Sequence, residues 1–536
     1  MAFWSRDLLR SGGLHWLLEF SWGGQVFRFS EQTIRATATV LDGERQWLEG
    51  LVIGGPVADT VDPFSDAPEP RSMNITLHMP PGVDVPDLVS RGFGLGSATG
   101  RLMLWLEGTT EAMVLIDGVV RDPEYASKSE PVTFALEELP FDDQGLWPPA
   151  AAHVNATTWP NFGEGLSGEV YPWIFGIPPI DTATTGIFSS PGLVVNTSNH
   201  YLLIAGHPVE ATSVKVRNFD DDSNGSYAVL EVADGSGRLC SYVDLDEVGP
   251  TVVYDEGAPY WIRWNNVATG GGLQGPDGTP FRGAGDHIVW WLERSTLRWD
   301  RGRVLALVPR LNAFRIDCAA VAAADARITP WVWIRTHILP LLPVSPRVGP
   351  EGLYFAWYEF DADRSLAVAI LDTAAGMVER ASAITYTPRD SVVNEVRLSY
   401  LLDAESDNYR KRLIVTGSAD TAALETTAIR NGLCEQSDAL YGRRVMEMST
   451  DVVCDGDTAG RIALWKAQAL ALQHRLVTYT VPRDFAHLEP GNVVEITDAE
   501  VNLSAAVALV ESMPWGPLES FDVVLRVLSS GREWAT

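Results

Sequence analysis

The sequence predicts an α+β protein dominated by β-structure, in which several small antiparallel β-barrel or sandwich domains carry a few packed helices. Apolar residues are 46% and charged residues 21% of the 536-residue chain, as in ordinary globular proteins. Short alternating apolar runs separated by Gly, Pro, Asn and Asp recur along most of the chain and are typical of antiparallel strands. Helical spacing is confined to a few segments of the second half, so helices and strands are segregated rather than alternating.

The first 150 residues are predicted to form one β-domain. Leu14–Ser30 holds two alternating runs around Gly23-Gly24, and two glycines supply the positive φ angles of a tight hairpin turn. Asp117-Gly118 predicts a second turn, and Asp59–Arg71, with three prolines, predicts an exposed loop. Four more runs predict strands: Met73–Met79, Arg101–Glu107, Ala112–Val120 and Val132–Leu136. About six strands with short connections favour a small barrel or sandwich.

Changes in composition predict four domains. Leu146–Ala152 and the Gly/Pro-rich segment Gly270–Gly285 are the two clearest boundaries. The predicted units are the β-domain 1–150, a β-rich domain 151–285, a mixed α/β domain 286–395 and a C-terminal β-barrel with a helix, 396–536.

Helices are predicted at three places. Asp286–Leu297 has helical apolar spacing, and Thr329-Pro330 places an N-cap residue before a proline at the first helical position. The clearest helix is 457–474, with Asp457 as its cap. The runs after it predict the strands of the C-terminal barrel: Leu476–Val481, Val493–Thr497, Ala505–Ser512 and Phe521–Leu528.

The charge balance excludes some classes of function. The chain has 40 Lys and Arg against 70 Asp and Glu, a net charge of −30. A broad phosphate-binding surface needs clustered cations, so specific nucleic-acid binding and docking on anionic lipid are both disfavoured. No run approaches eighteen apolar residues, and the N-terminus lacks a basic segment followed by an apolar one. We therefore expect neither a membrane span nor a secretory signal.

The sequence nominates no catalytic residue and no cofactor site. G-x-S-x-G, H-E-x-x-H and the phosphate-binding G-x-x-x-x-G-K-[ST] are all absent, and no two histidines lie four residues apart. The four cysteines, Cys240, Cys318, Cys434 and Cys454, form no C-x-x-C pair. We expect each of them to be a small buried side chain.

One stretch fits a metal-binding pattern. Asp220, Asp222, Asn224 and Glu231 stand at the ligand offsets of an EF-hand calcium loop, and Gly225 occupies its sharp turn. The flanking residues alternate as strands do, so an acidic hairpin turn is the simpler interpretation of the same residues.

Nineteen tryptophans are many for this length. Aromatic side chains dominate protein interfaces, so an oligomeric assembly is one interpretation. The other is that tryptophan fills the cores of many small β-units.

Several motifs in the chain carry a family resemblance. In order they are Tyr171–Gly176, Tyr201–Val209, Val392–Val396, Tyr441-Gly442-Arg443-Arg444, the 457–474 helix, Leu476–Val481, and Leu488-Glu489-Pro490-Gly491-Asn492 before Val493–Ile496. This order resembles the baseplate hub or tail-tip hub proteins of long-tailed, siphovirus-type bacteriophages. The resemblance spans roughly residues 170–530. The N-terminal part resembles these proteins only in its general character and not in specific motifs.

The resemblance implies a non-catalytic virion protein at the distal end of the tail, assembled in the host cytoplasm. It implies a homotrimer whose two tube-like β-domains per chain adapt the hexameric tail tube to a trimeric tip. The implied partners are the tail tube, the distal tail protein ring, tip, fibre or receptor-binding proteins, and the tape-measure protein. DNA would leave through the channel, and acidic walls would repel its phosphates.

Two alternatives remain open. A carbohydrate-binding or carbohydrate-cleaving β-protein of the tail is also typically rich in tryptophan and acidic residues. A hexameric distal adaptor is usually shorter and lacks the Leu488–Asn492 turn.

Overall fold

The computed structural model describes residues 9–528, except for 10–11, 39–42, 55–70, 81–88, 90–93, 111, 126, 128–129, 139–142, 146, 148–151, 177–188, 210–212, 219, 221–223, 247–251, 253, 256–258, 265–280, 282, 321–327, 350, 377, 404–405, 418–426 and 514–519. Of the predicted loop Asp59–Arg71, all but Arg71 lies outside the described residues. Strands far outnumber helices in the described part, which confirms the β-dominated α+β class.

The first barrel contains nine strands. They are β1 (Leu14–Trp22), β2 (Gln25–Ser30), β3 (Ile34–Ala38), β4 (Gly43–Glu49), β5 (Leu51–Ile53), β6 (Ser72–Leu77), β7 (Thr99–Leu106), β8 (Ala112–Glu124) and β9 (Val132–Glu138), in the sheet order β3-β4-β2-β1-β7-β8-β9-β6-β5. Only Gly50 separates β4 from β5. Because β4 pairs with β2 and β5 pairs with β6, this single bent segment closes the sheet into a barrel.

One predicted turn of this barrel is confirmed and the other is wrong. Gly23 and Gly24 have φ angles of 57° and 76° and join β1 to β2, with Trp22 opposite Gln25. Asp117 and Gly118, by contrast, lie inside β8. A Cβ on Gly118 would lie 1.9 Å from the Glu137 carbonyl oxygen, so glycine is there to let β9 approach.

The two faces of the first barrel are buried differently. Large side chains such as Trp16, Phe20 and Phe134 fill its inner face. On the outer face, the β3–β4 hairpin covers β1 and β7, where Trp47 packs with Leu17. Alternation along β1 therefore buries both faces of that strand.

A second barrel follows the short strand β10 (Trp173–Phe175). Its strands are β11 (Ser189–Asn196), β12 (Tyr201–Ala205), β13 (Ser213–Asn218), β14 (Asn224–Ala228), β15 (Leu230–Ala233), β16 (Leu239–Asp244) and β17 (Tyr260–Arg263), in the order β14-β13-β17-β11-β12-β16-β15. Only Val229 separates β14 from β15. Since β14 pairs with β13 and β15 pairs with β16, one continuous segment closes this barrel as well.

A helical segment connects the barrels. It comprises α1 (Ala284–Leu292), α2 (Arg301–Leu311), β18 (Cys318–Ala320), α3 (Pro330–Trp333), β19 (Val344–Gly349) and β20 (Gly352–Trp357). The Thr329 hydroxyl accepts a hydrogen bond from the Val332 N–H, and Pro330 begins α3, as predicted. Helical turns of π and 3₁₀ type, Ile334–Ile338 and Leu339–Leu341, continue α3. The sequence did not predict α2, which contains Pro309.

The last barrel is interrupted by an insertion. Its strands are β21 (Ala369–Asp372), β22 (Glu379–Arg380) and β23 (Thr385–Tyr386), and after the insertion β28 (Arg475–Pro482), β29 (Val493–Asp498), β30 (Leu503–Ser512) and β31 (Ser520–Val527). The insertion holds β24 (Glu395–Asp403), β25 (Asn408–Thr416), β26 (Thr427–Arg430), α4 (Gly432–Tyr441), β27 (Val445–Ser449) and α5 (Gly456–Leu470). Helix α5 packs on β24 and β25.

The predicted helix 457–474 needs a correction. Helix α5 begins at Gly456 and ends at Leu470, and its cap is Asp455, whose carboxylate accepts from the Thr458 N–H. Asp457 lies in the first turn instead. The last predicted residue, His474, is buried between the carbonyls of Ala469 and Val527.

The predicted domain limits and the sheets do not coincide everywhere. Strands β21–β23 fall in the predicted 286–395 unit, yet they pair with β28 and β29 of the predicted 396–536 unit. Buried side chains of the first and last barrels belong to one apolar cluster. The four-domain division itself remains a prediction.

Candidate functional site

Four of the motifs that carried the family resemblance meet in two pairs in the structure. Tyr441 ends α4, and Gly442, with φ of 71°, turns the chain into β27. Strand β24 begins at Glu395 and runs parallel to β27, with Glu395 opposite Val445. Residues that precede two adjacent parallel strands lie at the same sheet edge, so Asn394-Glu395 and Gly442-Arg443-Arg444 come together.

Asn394 joins these two segments. Its side-chain oxygen accepts from the Arg444 N–H at 2.7 Å, and its amide nitrogen donates to the Gly442 carbonyl at 2.8 Å. The same nitrogen donates to the Ser437 hydroxyl at 3.2 Å. A buried amide with donors and acceptors both satisfied fixes how α4 leaves the sheet.

Glu395 is the centre of a charge cluster formed by Glu395, Arg397, Arg412, Arg443 and Glu447. Arg443 donates to Glu395 through two nitrogens at 2.7 and 2.8 Å, and Arg397 donates at 2.6 Å. The Glu395 side chain is only 7% exposed. The hydrogen bonds from Arg443 lower the pKa of Glu395, against the opposing effect of burial.

The outer part of this charge cluster is open to solvent. Arg397 and Arg412 each donate to the Glu447 carboxylate at 2.9 Å. Hydrogen bonds from Arg397 lower the pKa of the exposed Glu447. Every carboxylate in the cluster is paired with arginine, so the arrangement fits structural support better than acid–base chemistry.

The 488–492 turn docks the last barrel on the helical segment. Gly491 has φ of 87°, and a Cβ there would lie 2.5 Å from the Trp357 carbonyl oxygen of β20. The Asn492 side-chain oxygen accepts from the Glu489 N–H at 2.9 Å. The Glu489 carboxylate forms an ion pair with Arg303 of α2. This motif therefore supplies both a strand-starting turn and a contact.

The motifs Tyr171–Gly176 and Tyr201–Val209 form the second pair. The Gly206 N–H donates to the Pro172 carbonyl at 2.8 Å, and the Ile174 N–H donates to His207 Nε2 at 3.1 Å. Burial lowers the pKa of His207 to about 4, so this ring is a neutral acceptor. The buried Tyr171 hydroxyl donates to Asp234 at 2.9 Å.

The calcium candidates are only partly described. Asn224 lies on β14 opposite Arg217, and Glu231 lies on β15 opposite Ser241. The Asp220 N–H donates to the Asn218 side chain, and Asp222 lies outside the described residues. The flanks are strands, as expected for a hairpin turn. Calcium binding at Asp220, Asp222, Asn224 and Glu231 stays a prediction.

Other chemistry-bearing residues lie in cores. All four cysteines are buried and free, which confirms their predicted place.

Within the described ranges, no three His, Cys, Asp or Glu side chains are grouped so as to hold a metal ion. In that same part of the chain, no helix has the length and apolar character needed to cross a membrane.

Sequence reasoning missed a buried ion pair of the last barrel. Arg380, on β22, donates to Asp498 at 3.0 Å, and the Tyr479 hydroxyl of β28 donates to the same carboxylate at 2.9 Å. Asp498 ends β29 and its side chain is 2% exposed. No local signal could have linked these residues, because Arg380 and Asp498 are 118 positions apart.

Comparison with known proteins gives one informative match. Residues 353–511, less than a third of the chain, match the Phage-tail_3 family, described as putative phage tail protein. The matched segment holds the charge cluster, the 488–492 turn and most of the last barrel. No curated protein matches the chain. This part of the chain is therefore related to phage tail proteins.

Similarity to solved structures is weak. The tail protein from Neisseria meningitidis MC58 is 10% identical over 96% of this chain and 97% of its own, with a TM-score of 0.35. A chain of a native gene transfer agent virion is 11% identical over 72% and 90%, with a TM-score of 0.35. The 43 kDa tail protein of prophage MuSo2 from Shewanella oneidensis is 9% identical over 96% and 98%, with a TM-score of 0.31. TM-scores this low establish neither fold nor function here.

Proposed function

We propose that this chain is a structural, non-catalytic hub protein at the tip or baseplate of a phage tail. The observation that carries the proposal is the match of residues 353–511 to phage tail proteins. The contacts between the motifs support it, because each motif pair joins structural elements and none assembles a reactive centre.

The first and last barrels are the two tube-like domains of this proposal. The first is a sheet closed by the β4–β5 segment, and the last is a sheet whose end strands are β21 and β22. The buried side chains of the two share one apolar cluster. Three copies of a chain with two such barrels would present six barrels to a hexameric tail tube. A homotrimer would then adapt the tube to a three-fold tip, with the second barrel and the helical segment outside the ring.

The partners follow from that position. The distal tail protein ring and tail tube would lie on one side, and tip, fibre or receptor-binding proteins on the other. The tape-measure protein and DNA would pass through the channel without specific binding. The net charge of −30 supports this role, since acidic walls do not retain phosphates.

The described tryptophans weigh against a carbohydrate-binding function. A tryptophan that stacks on a sugar has to be exposed, but in the described residues no tryptophan is exposed. Trp261, Trp299 and Trp357 are half-buried, and the others there are buried. A ring cluster around Trp147, with Trp173, Trp290 and Trp291 at 4.7–5.2 Å, fills the core between β10 and α1. Tryptophan thus serves the cores in this part of the chain.

Electron microscopy of intact particles tests the proposal. We expect three copies of this chain at the distal end of the tail tube, and a mass of three chains for the purified protein in solution. Six equivalent copies would assign it instead to a hexameric adaptor. A stable monomer that binds or cleaves a glycan would reject the hub.

A further inference from the structure

The sheet of the insertion has one covered and one open face. Its strand order is β26-β25-β24-β27. Helix α5 covers one face, where Leu398 and Leu413 are opposite one another and buried. Side chains alternate between the two faces of a sheet, so Arg397, opposite Glu447, lies on the other face. Glu447 is exposed, so that face is open to solvent.

Five arginines are concentrated on this open face. Arg412 is opposite Ser399, and Ser399 is two residues beyond Arg397 on β24. The other positions follow from the same alternation along β25 and β26, and from the hydrogen bonds that Arg443 donates to Glu395. We call this surface the arginine face, and its arginines are Arg397, Arg410, Arg412, Arg430 and Arg443.

Buried carboxylates hold these arginines in place. Glu395 and Asp403 are only 7% and 1% exposed, and they pair with Arg443 and Arg410. Arg443 itself is 60% exposed. A guanidinium has five N–H donors, and the two bonds that Arg443 donates to Glu395 leave other donors for a partner. The guanidinium groups are therefore positioned in advance to receive further carboxylates.

The second barrel offers a surface of opposite charge. Residues 151–264, which include it, contain 14 Asp and Glu but only 4 Lys and Arg. This region therefore carries a net charge of −10, against −30 for the whole chain. Glu231 on β15 and Asp255 are among its exposed carboxylates. Every copy of the chain thus carries both an arginine face and a region able to supply carboxylates to it.

The arginine face fits a protein partner better than a nucleic acid. Four carboxylates pair with its five arginines: Glu395, Asp403, Glu435 and Glu447. Binding a phosphate backbone needs clustered cations that are not neutralised in this way. Val445, exposed and opposite Glu395 on the same face, adds the apolar contact that protein interfaces use.

We propose that the arginine face of one copy binds the acidic second barrel of a second copy. The two surfaces are different, so the contact is heterologous, and a three-fold arrangement closes three such contacts into a ring. This inference rests on the proposed homotrimer and assigns the surfaces through which its copies meet.

Charge reversal on the arginine face tests the contact on the full chain. Arg412→Glu with Arg430→Glu should raise the concentration at which the trimer dissociates by about tenfold or more, measured by analytical ultracentrifugation. Both arginines pair with exposed carboxylates, so their reversal leaves no buried carboxylate without a partner. The melting temperature checks the fold. Because salt screens such pairs, the unaltered trimer should also dissociate more readily in high salt than in low salt.

A matched control reverses two arginines elsewhere. Arg298→Glu with Arg301→Glu makes the same change in charge at exposed arginines that pair with the exposed Glu351 and Glu293. These arginines lie in the helical segment, outside the arginine face. The control should leave dissociation of the trimer unchanged.

Reversal on the second barrel tests the other side of the contact. Glu231→Lys with Asp255→Lys should weaken the trimer as well, and combining these two substitutions with Arg412→Glu and Arg430→Glu should restore part of its stability. A trimer that the arginine reversal weakens no more than the control does would overturn the inference and leave the hub proposal standing. An unaltered chain that stays monomeric would reject both. Binding of a DNA duplex that the arginine variant loses would assign the face to nucleic acid and would also overturn the inference.

Discussion

The first and last barrels are closed by different means. In the first barrel, β4 and β5 are one segment that bends at Gly50, so the main chain itself completes the circuit. In the last barrel, β21 and β22 are short, separate strands that pair with β29 and β28. There, the side chains of Arg380, Tyr479 and Asp498 hold the strands together where the main chain does not.

The difference shows what a barrel requires when an insertion separates its strands. All strands of the first barrel come from residues 14–138, whereas the insertion separates β23 from β28 in the last barrel. Bringing together strands that are distant in sequence costs more loop-closure entropy. In the last barrel, the Arg380–Asp498 pair joins strands that lie on either side of the insertion. Variants at the two closures should therefore lose stability for different reasons: loss of side-chain partners in the last barrel, and steric overlap with the main chain in the first.

The largest effect is expected at the closure of the last barrel. Asp498→Ala leaves the Tyr479 hydroxyl buried without its acceptor and removes the buried one of the two carboxylates that pair with Arg380, so the barrel should lose about 3 kcal/mol of stability. Hydrogen exchange of the β28 and β29 amides measures the loss. Glu500→Gln is the control, because the exposed Glu500 also pairs with Arg380 but should contribute only about 0.5 kcal/mol. Equal effects of the two variants would contradict this view of the closure.

Gly50→Ala tests the closure of the first barrel. Gly50 has φ of 151°, and a Cβ there would lie 2.6 Å from the His78 carbonyl oxygen. We expect a loss of about 2 kcal/mol, seen as faster exchange of the β2 and β6 amides. Gly108→Ala is the matched control, since Gly108 has φ of 84° but no atom within 4 Å of its Cβ position. The steric part of the prediction fails if both glycine variants lose the same stability.

Glu395→Gln tests the insertion that interrupts the last barrel. Weakening the charge-assisted bonds from Arg443 and Arg397 should cost about 1.5 kcal/mol at pH 7. The folded pKa of Glu395 lies below its ordinary 4.5. Its carboxylate therefore stabilises the fold above that pH, and the contribution is lost as pH falls through the folded pKa.

Denaturant unfolding at pH 7 and pH 3 should thus show the stability gap between the unaltered chain and Glu395→Gln narrowing in acid. Glu447→Gln, at the exposed end of the charge cluster, is the control and should change stability far less, because ion pairs open to solvent contribute little. A gap that is the same at both pH values would refute the role of the Glu395 charge.

The smallest effect is expected at the start of α5. Asp455→Ala removes the cap and should cost about 1 kcal/mol, whereas Asp457→Ala removes only a first-turn charge and should cost about 0.3 kcal/mol. Thermal unfolding of the two variants measures the difference. The reverse order would restore Asp457 as the cap.

Prediction from the sequence was accurate where the signal is local. The Gly23-Gly24 turn and the Thr329-Pro330 helix start depend on neighbouring residues, and both are confirmed. Asp117-Gly118 has the same local signal as a turn, but contact with β9 makes it part of a strand. Helix α2 was missed because it contains a proline and few buried side chains.

The same difference between local and distant signals applies to the candidate site. The sequence identified Tyr441–Arg444, Val392–Val396 and Leu488–Asn492 as notable, because their order along the chain resembles that of tail-hub proteins. It could not predict that Asn394 bonds Gly442 and Arg444, or that Glu489 meets Arg303, since these contacts depend on how strands pair.

The sequence by itself determined the β-dominated class, the local turns and helix starts, and the acidic character of the chain, because hydrophobic alternation, glycine geometry and charge belong to neighbouring residues. Only the tertiary structure decided how each barrel closes, which carboxylates are buried beside arginine, and where the tryptophans lie. Those features depend on partners far away in the chain, and the stabilising contacts form only once the strands have paired.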